Sequence, residues 1–152
     1  MAIEIQLSEE QLAIAVAEAT RRQTMNEKRG LKGRNRAPAK GDAALELHML
    51  GCTGEAAVAA FLGLEHRLFE GDAPVRGDAD LPGKVEVKAR KKHGYDLLIQ
   101  LSDVPEKLFV LTTCDRTVDP SRVKLVGWTY GGPVMLKQYI REFVRGRPCY
   151  AV

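Results

Sequence analysis

The chain is poor in the residues that mark several common classes. Of 152 residues only three are cysteine: Cys52, Cys114 and Cys149. They are odd in number and far apart, so they suggest neither a disulfide framework nor a zinc site. Buried small hydrophobes are their expected role, in a reducing setting. The three histidines, His48, His66 and His93, are equally scattered, with no cysteine at ligand spacing. No glycine-rich phosphate loop opens a helix, which argues against a nucleotide hydrolase. No run reads as long or apolar enough to cross a membrane. The opening MAIEIQLSEE turns polar by residue 8, unlike a secretory leader. The expectation is a cytoplasmic protein without a membrane partner.

What is present is an ordinary globular balance, 45% hydrophobic and 28% charged, over about one domain's length. The net charge of +3 conceals an uneven distribution. Residues 21–40 (RRQTMNEKRGLKGRNRAPAK) carry +7 and residues 84–92 (KVEVKARKK) carry +4, which leaves −8 for the remainder. Two concentrated basic segments on an acidic body suggest a polyanion partner. Taken alone, each also fits an ordinary role, as a solvated linker or as a lysine-blunted strand edge.

IEIQL at 3–7 reads as a short strand. Ser8 and Gln11 fit a capping box, opening a helix from about residue 9 into the low twenties. The basic stretch that follows, broken by Gly30, Gly33 and Pro38, reads as a mobile arm. A second helix is expected at 42–50, an interruption at Gly51–Gly54, and a third helix over EAAVAAFLGL with Gly63 as its C-terminal cap. HRLFE at 66–70 is a weak strand and VEVKA at 85–89 a strong one. DLLIQL at 96–101, KLFVLTTC at 107–114 and RVKLVGWTY at 122–130 follow. A helix from Pro133 to about Ile140 and a short strand near CYAV close the chain. Helices first, then mostly antiparallel strands and a late helix, describe an α/β or α+β fold organised as a single domain, residues 1–40 forming the helix and arm and 41–152 the core.

The segment GDADLPGKVEVKARKK, 77–92, is where chemistry concentrates. Strand alternation puts Glu86, Lys88 and Arg90 on one face and Val85, Val87 and Ala89 on the other, toward the core. A turn at Pro82-Gly83 can fold Asp80 back beside Glu86. Two neighbouring carboxylates repel unless a cation sits between them. Magnesium takes oxygen ligands of this kind and activates phosphate and water. A lysine alongside can hold the attacking water and offset charge on the phosphorane.

An acid, a spacer, then Glu-X-Lys resembles the PD-(D/E)XK nuclease superfamily, the restriction-endonuclease-like fold, in its small phage or prokaryotic form. Glu86-Val87-Lys88 matches the E-X-K half, and Asp80 the first acid, with Asp78 as substitute. Ala79 stands where the family name has proline. Glu55, in TGEAAVAAFLGL, matches the glutamate that many members carry on a helix before the sheet. The resemblance covers roughly residues 50–140. It implies an αβββαβ core with a central mixed sheet flanked by helices, and a Mg²⁺-dependent endonuclease acting on duplex or branched DNA, with Mn²⁺ as a substitute ion. Asp80 and Glu86 would bind the metal with the Val87 carbonyl, Lys88 would serve the water, and Glu55 would assist. Arg90, Lys91 and Lys92 would contact phosphates, as would Arg29, Lys32, Arg34 and Arg36 of the arm. A homodimer would offer two sites to a duplex.

Each residue also has an ordinary reading. Glu86 and Lys88 make a same-face ion pair, Asp78 and Asp80 form turns, and Glu55 favours a helix N-terminus. Tyr95 is expected as a capping or buried ring that could also stack on substrate. Asp96 either supports Lys88 or caps a strand, and His93 is an exposed loop residue. Trp128 and Tyr130, alternating with Val126, are expected in the core. The rival functions are a non-catalytic nucleic-acid-binding protein on the same fold and a module docking an acidic protein.

Overall fold

A computed structural model describes residues 2–28, 42–69 and 79–152. The elements, in order, are β1 (Ile3–Gln6), α1 (Glu9–Lys28), α2 (Asp42–Leu62), β2 (Val85–Arg90), β3 (Leu98–Gln100), β4 (Leu108–Thr113), β5 (Arg122–Tyr130), the one-turn α3 (Gly131–Val134), β6 (Ile140–Val144) and β7 (Arg147–Ala151). The fold is mixed α and β, with two sheets. The larger is ordered β1-β5-β4-β2, the smaller β3-β7-β6. β2 runs parallel to β4, while β4–β5 and β1–β5 are antiparallel, so the larger sheet is mixed.

α1 starts as its sequence dictates. The Ser8 amide donates to Gln11 Oε1 at 2.8 Å and the Gln11 amide donates to Ser8 Oγ at 3.1 Å, a reciprocal capping box. It continues to Lys28, past the expected end, so Arg21 and Arg22 are helical rather than part of an arm. The arm residues Arg29, Lys32, Arg34 and Arg36 lie outside the described residues, as does Asp78.

The expected break at Gly51–Gly54 does not occur, and α2 is one helix of 21 residues. Gly54 serves close packing instead, whereas a Cβ on Gly51 would meet nothing within 4 Å. A Cβ on Gly54 would lie 2.5 Å from Thr112 Oγ1 and 3.3 Å from Ala89 Cβ, so glycine lets the helix rest on β2 and β4. Unbroken, α2 reaches a mean hydropathy of 1.2 and is long and apolar enough by composition to cross a bilayer, contrary to the sequence expectation. Half of that window is buried inside the fold, as in the core helix of a globular protein. It ends where expected, with Gly63 at φ 70° and the Gly63 and Leu64 amides donating to the Ala60 and Ala59 carbonyls, a Schellman cap.

Two apolar clusters sandwich the larger sheet. Val85, Val87, Val110, Val123 and Leu125 face α1 and α2, joined by Ala15, Ala19 and Ala57. Phe109 and Leu111 face Leu97, just before β3, and Ile99 and Tyr150 of the smaller sheet. The helices α1 and α2 therefore share one face, and the smaller sheet, not a helix, backs the other. The described residues 66–69 of HRLFE form no strand: Glu65–Arg67 is a 3-10 turn. The helix expected over 133–140 is replaced by α3, a 3-10 turn at Lys137–Tyr139 and the β6–β7 hairpin. Pro133 is the third residue of α3, not the first.

Candidate functional site

The site is built around β2, the outer strand of the larger sheet. The turn before it forms as the Pro82-Gly83 pair suggests. Gly83 and Lys84 both take positive φ, 79° and 61°, and Leu81 bridges antiparallel to Val85. Lys84 bears strain there that a glycine would not. This reversal returns Asp80 to β2, where its Oδ2 accepts the Val87 N–H at 2.8 Å. Asp80 thus sits along the open edge of the strand.

Alternation along β2 holds as read from the sequence. Val85 and Val87 join the helix-side cluster, while Glu86 and Lys88 lie on the opposite face with Phe109. That face is enclosed rather than solvated, and Glu86 is only 6% exposed. Glu86 Oε1 accepts from Lys88 Nζ at 3.1 Å and Oε2 from Lys107 Nζ at 3.0 Å. Lys88 Nζ also donates to Asp103 Oδ2 at 3.2 Å, and Asp103 is fixed by the Gln100 amide at 2.9 Å. The result is a chain Lys107–Glu86–Lys88–Asp103. Asp103, not Asp96, supports Lys88.

Glu55 lies in the middle of α2, 4% exposed, so the helix-terminus explanation for it lapses. Its partner is Arg22 of α1, whose two terminal nitrogens donate to Oε1 and Oε2 at 2.9 and 3.0 Å. Arg22 also donates to Glu18 through Nε at 3.0 Å and lies 5.4 Å from the Phe69 ring centroid. Burial raises the Glu55 carboxyl. The Arg22 hydrogen bonds and charge work against that, and Glu18 and Glu86 add to the rise.

Asp80 is different in kind. Among the described residues it has one hydrogen bond, from Val87, and no ion pair. Burial, then the charges of Glu55 and Glu86, push its carboxyl up to about 7, against the Val87 N–H and the Lys88 charge. It is a carboxylate short of positive charge, between two others. Glu55 approaches from the helix side and Glu86 from the opposite face, so the three do not converge. Among the described residues no group of three or more acids, histidines or cysteines is arranged to hold a metal ion. The donors are nevertheless hard oxygens of the right type, and the undercompensated Asp80 fits a divalent cation.

Val87 gives its N–H to Asp80 and packs its side chain against Gly54. Arg90 stacks over Tyr95 at 5.0 Å. Lys91 and Lys92 are exposed and line an open cleft of about 370 Å³ whose other charged walls mix Arg122 and Lys124 with Glu4, Asp115 and Asp119. Sequence reasoning missed three members of the constellation. Arg22 was hidden in a basic run. Lys107 was hidden as the first residue of an apolar strand. Asp103 gave only a turn-like signal in SDVPEK.

Trp128 and Tyr130 are not in the core. They are 69% and 54% exposed and pack edge to face at 6.4 Å between ring centroids. A bulge in the β4–β5 pairing explains this. Thr112 pairs with Leu125 but Leu111 pairs with Gly127, so Val126 is an extra residue. The bulge moves Trp128 and Tyr130 to the face opposite Val126, onto the helix side of the sheet beyond the helices' cover.

Comparison with known protein families, with curated proteins and with solved structures gives no match to this chain.

Proposed function

We propose that the chain is a metal-dependent nuclease of restriction-endonuclease-like type that hydrolyses phosphodiester bonds in DNA. The observation that carries this reading is the setting of Asp80. A carboxylate with no cationic partner among the described residues is held against the edge of β2 beside Glu86 and Lys88, and its charge is left for a cation to offset. α2 on the helix-side face of β2, β4 and β5 supplies a helix-and-sheet platform of the kind the family uses. The late helix is only one turn and the last strand belongs to the smaller sheet, both departures from an αβββαβ core.

A magnesium or manganese ion would be held by Asp80 and Glu86 with the Val87 carbonyl, and when bound would polarise a phosphate and acidify a water. Lys88 Nζ would turn from Glu86 to hold the water, with Asp103 keeping the ammonium in place. Glu55, held by Arg22, would orient this cluster from the helix side. Arg90, Lys91 and Lys92 continue from the same strand and would hold the flanking phosphates, in a monomer or in a two-fold dimer.

A second reading, a non-catalytic nucleic-acid-binding protein, draws on the ion pairs. Glu86 and Glu55 are both neutralised by cations, as structural carboxylates would be. Incubating labelled duplex, branched and single-stranded DNA with Mg²⁺ or Mn²⁺ separates the two. The nuclease reading expects products that vanish in Asp80→Asn, Glu86→Ala and Lys88→Ala while DNA binding persists. Salt-sensitive binding without products would establish the second reading.

A further inference from the structure

We infer that the candidate site takes one divalent ion rather than two, and that Arg22 sets this count by withholding Glu55. The inference rests on the metal-dependent reading proposed above and extends it to how many ions the carboxylates can serve. Two-ion sites for phosphoryl chemistry hold their ions about 3.5–4 Å apart. A magnesium-like ion is usually held by one or two carboxylates, with water and substrate oxygens. The count therefore turns on which carboxylate oxygens can be released. After burial, Glu55 is the charge that acts most strongly on Asp80, ahead of Glu86, so it is the acid placed to serve a second ion.

The three acids differ in what they can give. Asp80 has an oxygen available, since Oδ2 accepts the Val87 N–H and Oδ1 has no hydrogen bond among the described residues. Glu86 can release one oxygen through a small movement. Lys88 Nζ is a point charge on a flexible stem, 3.1 Å from Glu86 and 3.2 Å from Asp103. It can turn from Glu86 and keep Asp103, while Lys107 retains the other Glu86 oxygen.

Glu55 has no such freedom. One planar guanidinium takes both of its oxygens, at 2.9 and 3.0 Å, and the residue is 4% exposed. Arg22 Nε is pinned at the same time by Glu18 at 3.0 Å, and the guanidinium carbon lies 5.4 Å from the Phe69 ring centroid. Turning Arg22 aside breaks the two-point grip, the Glu18 bond and the ring contact together. Proton loss does not release it, because a guanidinium stays charged. The two residues stand on α1 and α2, which pack against each other, so neither backbone yields alone.

Mn²⁺ is the probe, at pH 8 and without nucleic acid. Equilibrium dialysis gives the count, and electron paramagnetic resonance shows whether bound ions are coupled. The expected result is one Mn²⁺ per chain with the spectrum of an isolated ion, in the native protein and in Glu55→Gln alike. Arg22→Met, checked for fold by circular dichroism, should raise the count to two with an exchange-broadened spectrum. Arg22→Met combined with Glu55→Gln should return it to one, a change that a purely structural ion pair would not produce. Two coupled ions in the native protein would overturn the inference and leave the metal-dependent nuclease reading standing. Loss of binding in Glu55→Gln would also overturn it, by making Glu55 a ligand of the first ion. A folded Arg22→Met that still takes one ion would overturn the role of Arg22. If Arg22→Met does not fold, the other two counts decide: one ion in both the native protein and Glu55→Gln upholds the inference, and any other pair of counts overturns it. No Mn²⁺ bound by the native protein would remove the metal-dependent reading and the inference together.

Discussion

Asp80 and Val87 are joined by a 2.8 Å hydrogen bond from the backbone amide to the carboxylate, and that is the one bond Asp80 has among the described residues. Its carboxyl is pushed up to about 7, by burial first and then by Glu55 and Glu86. An unfolded aspartate titrates near 3.9. A raised folded pKa means stability that is full below about pH 3.9 and lost as pH rises through about 7. Asp80→Asn keeps an acceptor for the Val87 amide and removes the titration. It should be more stable than the native chain at pH 8 by roughly 1–3 kcal/mol, after allowance for screening. The advantage should fade between pH 7 and pH 4, and urea unfolding at several pH values measures it. Greater stability with lost activity is the usual mark of a functional carboxylate.

The same carboxylate predicts a response to divalent cations. A ligand that binds the folded state alone raises stability by mass action, about 2.7 kcal/mol at 100 times Kd. For a chain of this length that corresponds to a rise in Tm on the order of 5–10 °C. Mg²⁺ or Mn²⁺ should raise the Tm of the native protein at pH 8 and much less at pH 5, where Asp80 is protonated. Asp80→Asn should show no rise at either pH. A thermal melt that ignores both ions at pH 8 would remove Asp80 from the list of ligands.

Much of this arrangement was legible in sequence because it depends on short-range rules. Alternation along VEVKAR placed Glu86 and Lys88 together, Pro82-Gly83 gave the turn that returns Asp80, and Ser8 and Gln11 fixed the start of α1. What escaped depends on contacts far apart in the chain. Gly51 and Gly54 look like helix breakers, and only the proximity of Thr112 and Ala89 shows why α2 keeps a glycine at position 54. The extra residue at Val126 shifts the β5 register, and nothing in RVKLVGWTY announces it. Arg22 and Lys107 looked like surface cations. They are counterions to Glu55, 33 residues away, and to Glu86, 21 residues away.

Arg22 and Glu55 make an unequal pair. Without Arg22, Glu55 would be a buried anion with no cation bonded to it, whereas without Glu55, Arg22 would keep Glu18 and the Phe69 ring. Arg22→Ala should therefore cost about 3–5 kcal/mol, the range for breaking one side of a buried ion pair, and Glu55→Gln less. Arg22→Lys should recover only part, because an ammonium cannot match both carboxylate oxygens. Arg22 now opposes the rise in the Glu55 carboxyl, so its loss raises that carboxyl further. The deficit of Arg22→Ala should grow as pH rises above the unfolded glutamate value of about 4.3 and be smallest in acid. Denaturant unfolding from pH 4 to pH 8 tests the sign.

Lys107 and Lys88 compete for one carboxylate, and the competition sets how open Glu86 is to a metal ion. Lys107 is 4% exposed and bonds Oε2, while Lys88 bonds Oε1 and is shared with Asp103. Removing Lys107 leaves a buried glutamate with one shared cation. Removing Glu86 takes away the carboxylate that the buried Lys107 ammonium bonds at 3.0 Å. Each single change, Lys107→Met or Glu86→Gln, should cost about 2–4 kcal/mol. The double variant should lose less than the sum, with a coupling energy of about 1–3 kcal/mol by double-mutant cycle. The two readings of function diverge on a further point. If Glu86 is a metal ligand, Lys107→Met should tighten Mn²⁺ binding, because a competing cation has gone. If Glu86 serves packing alone, Lys107→Met should lower stability without changing metal affinity. Calorimetric titration of Mn²⁺ into the native protein and Lys107→Met decides between these outcomes without any assay of cleavage.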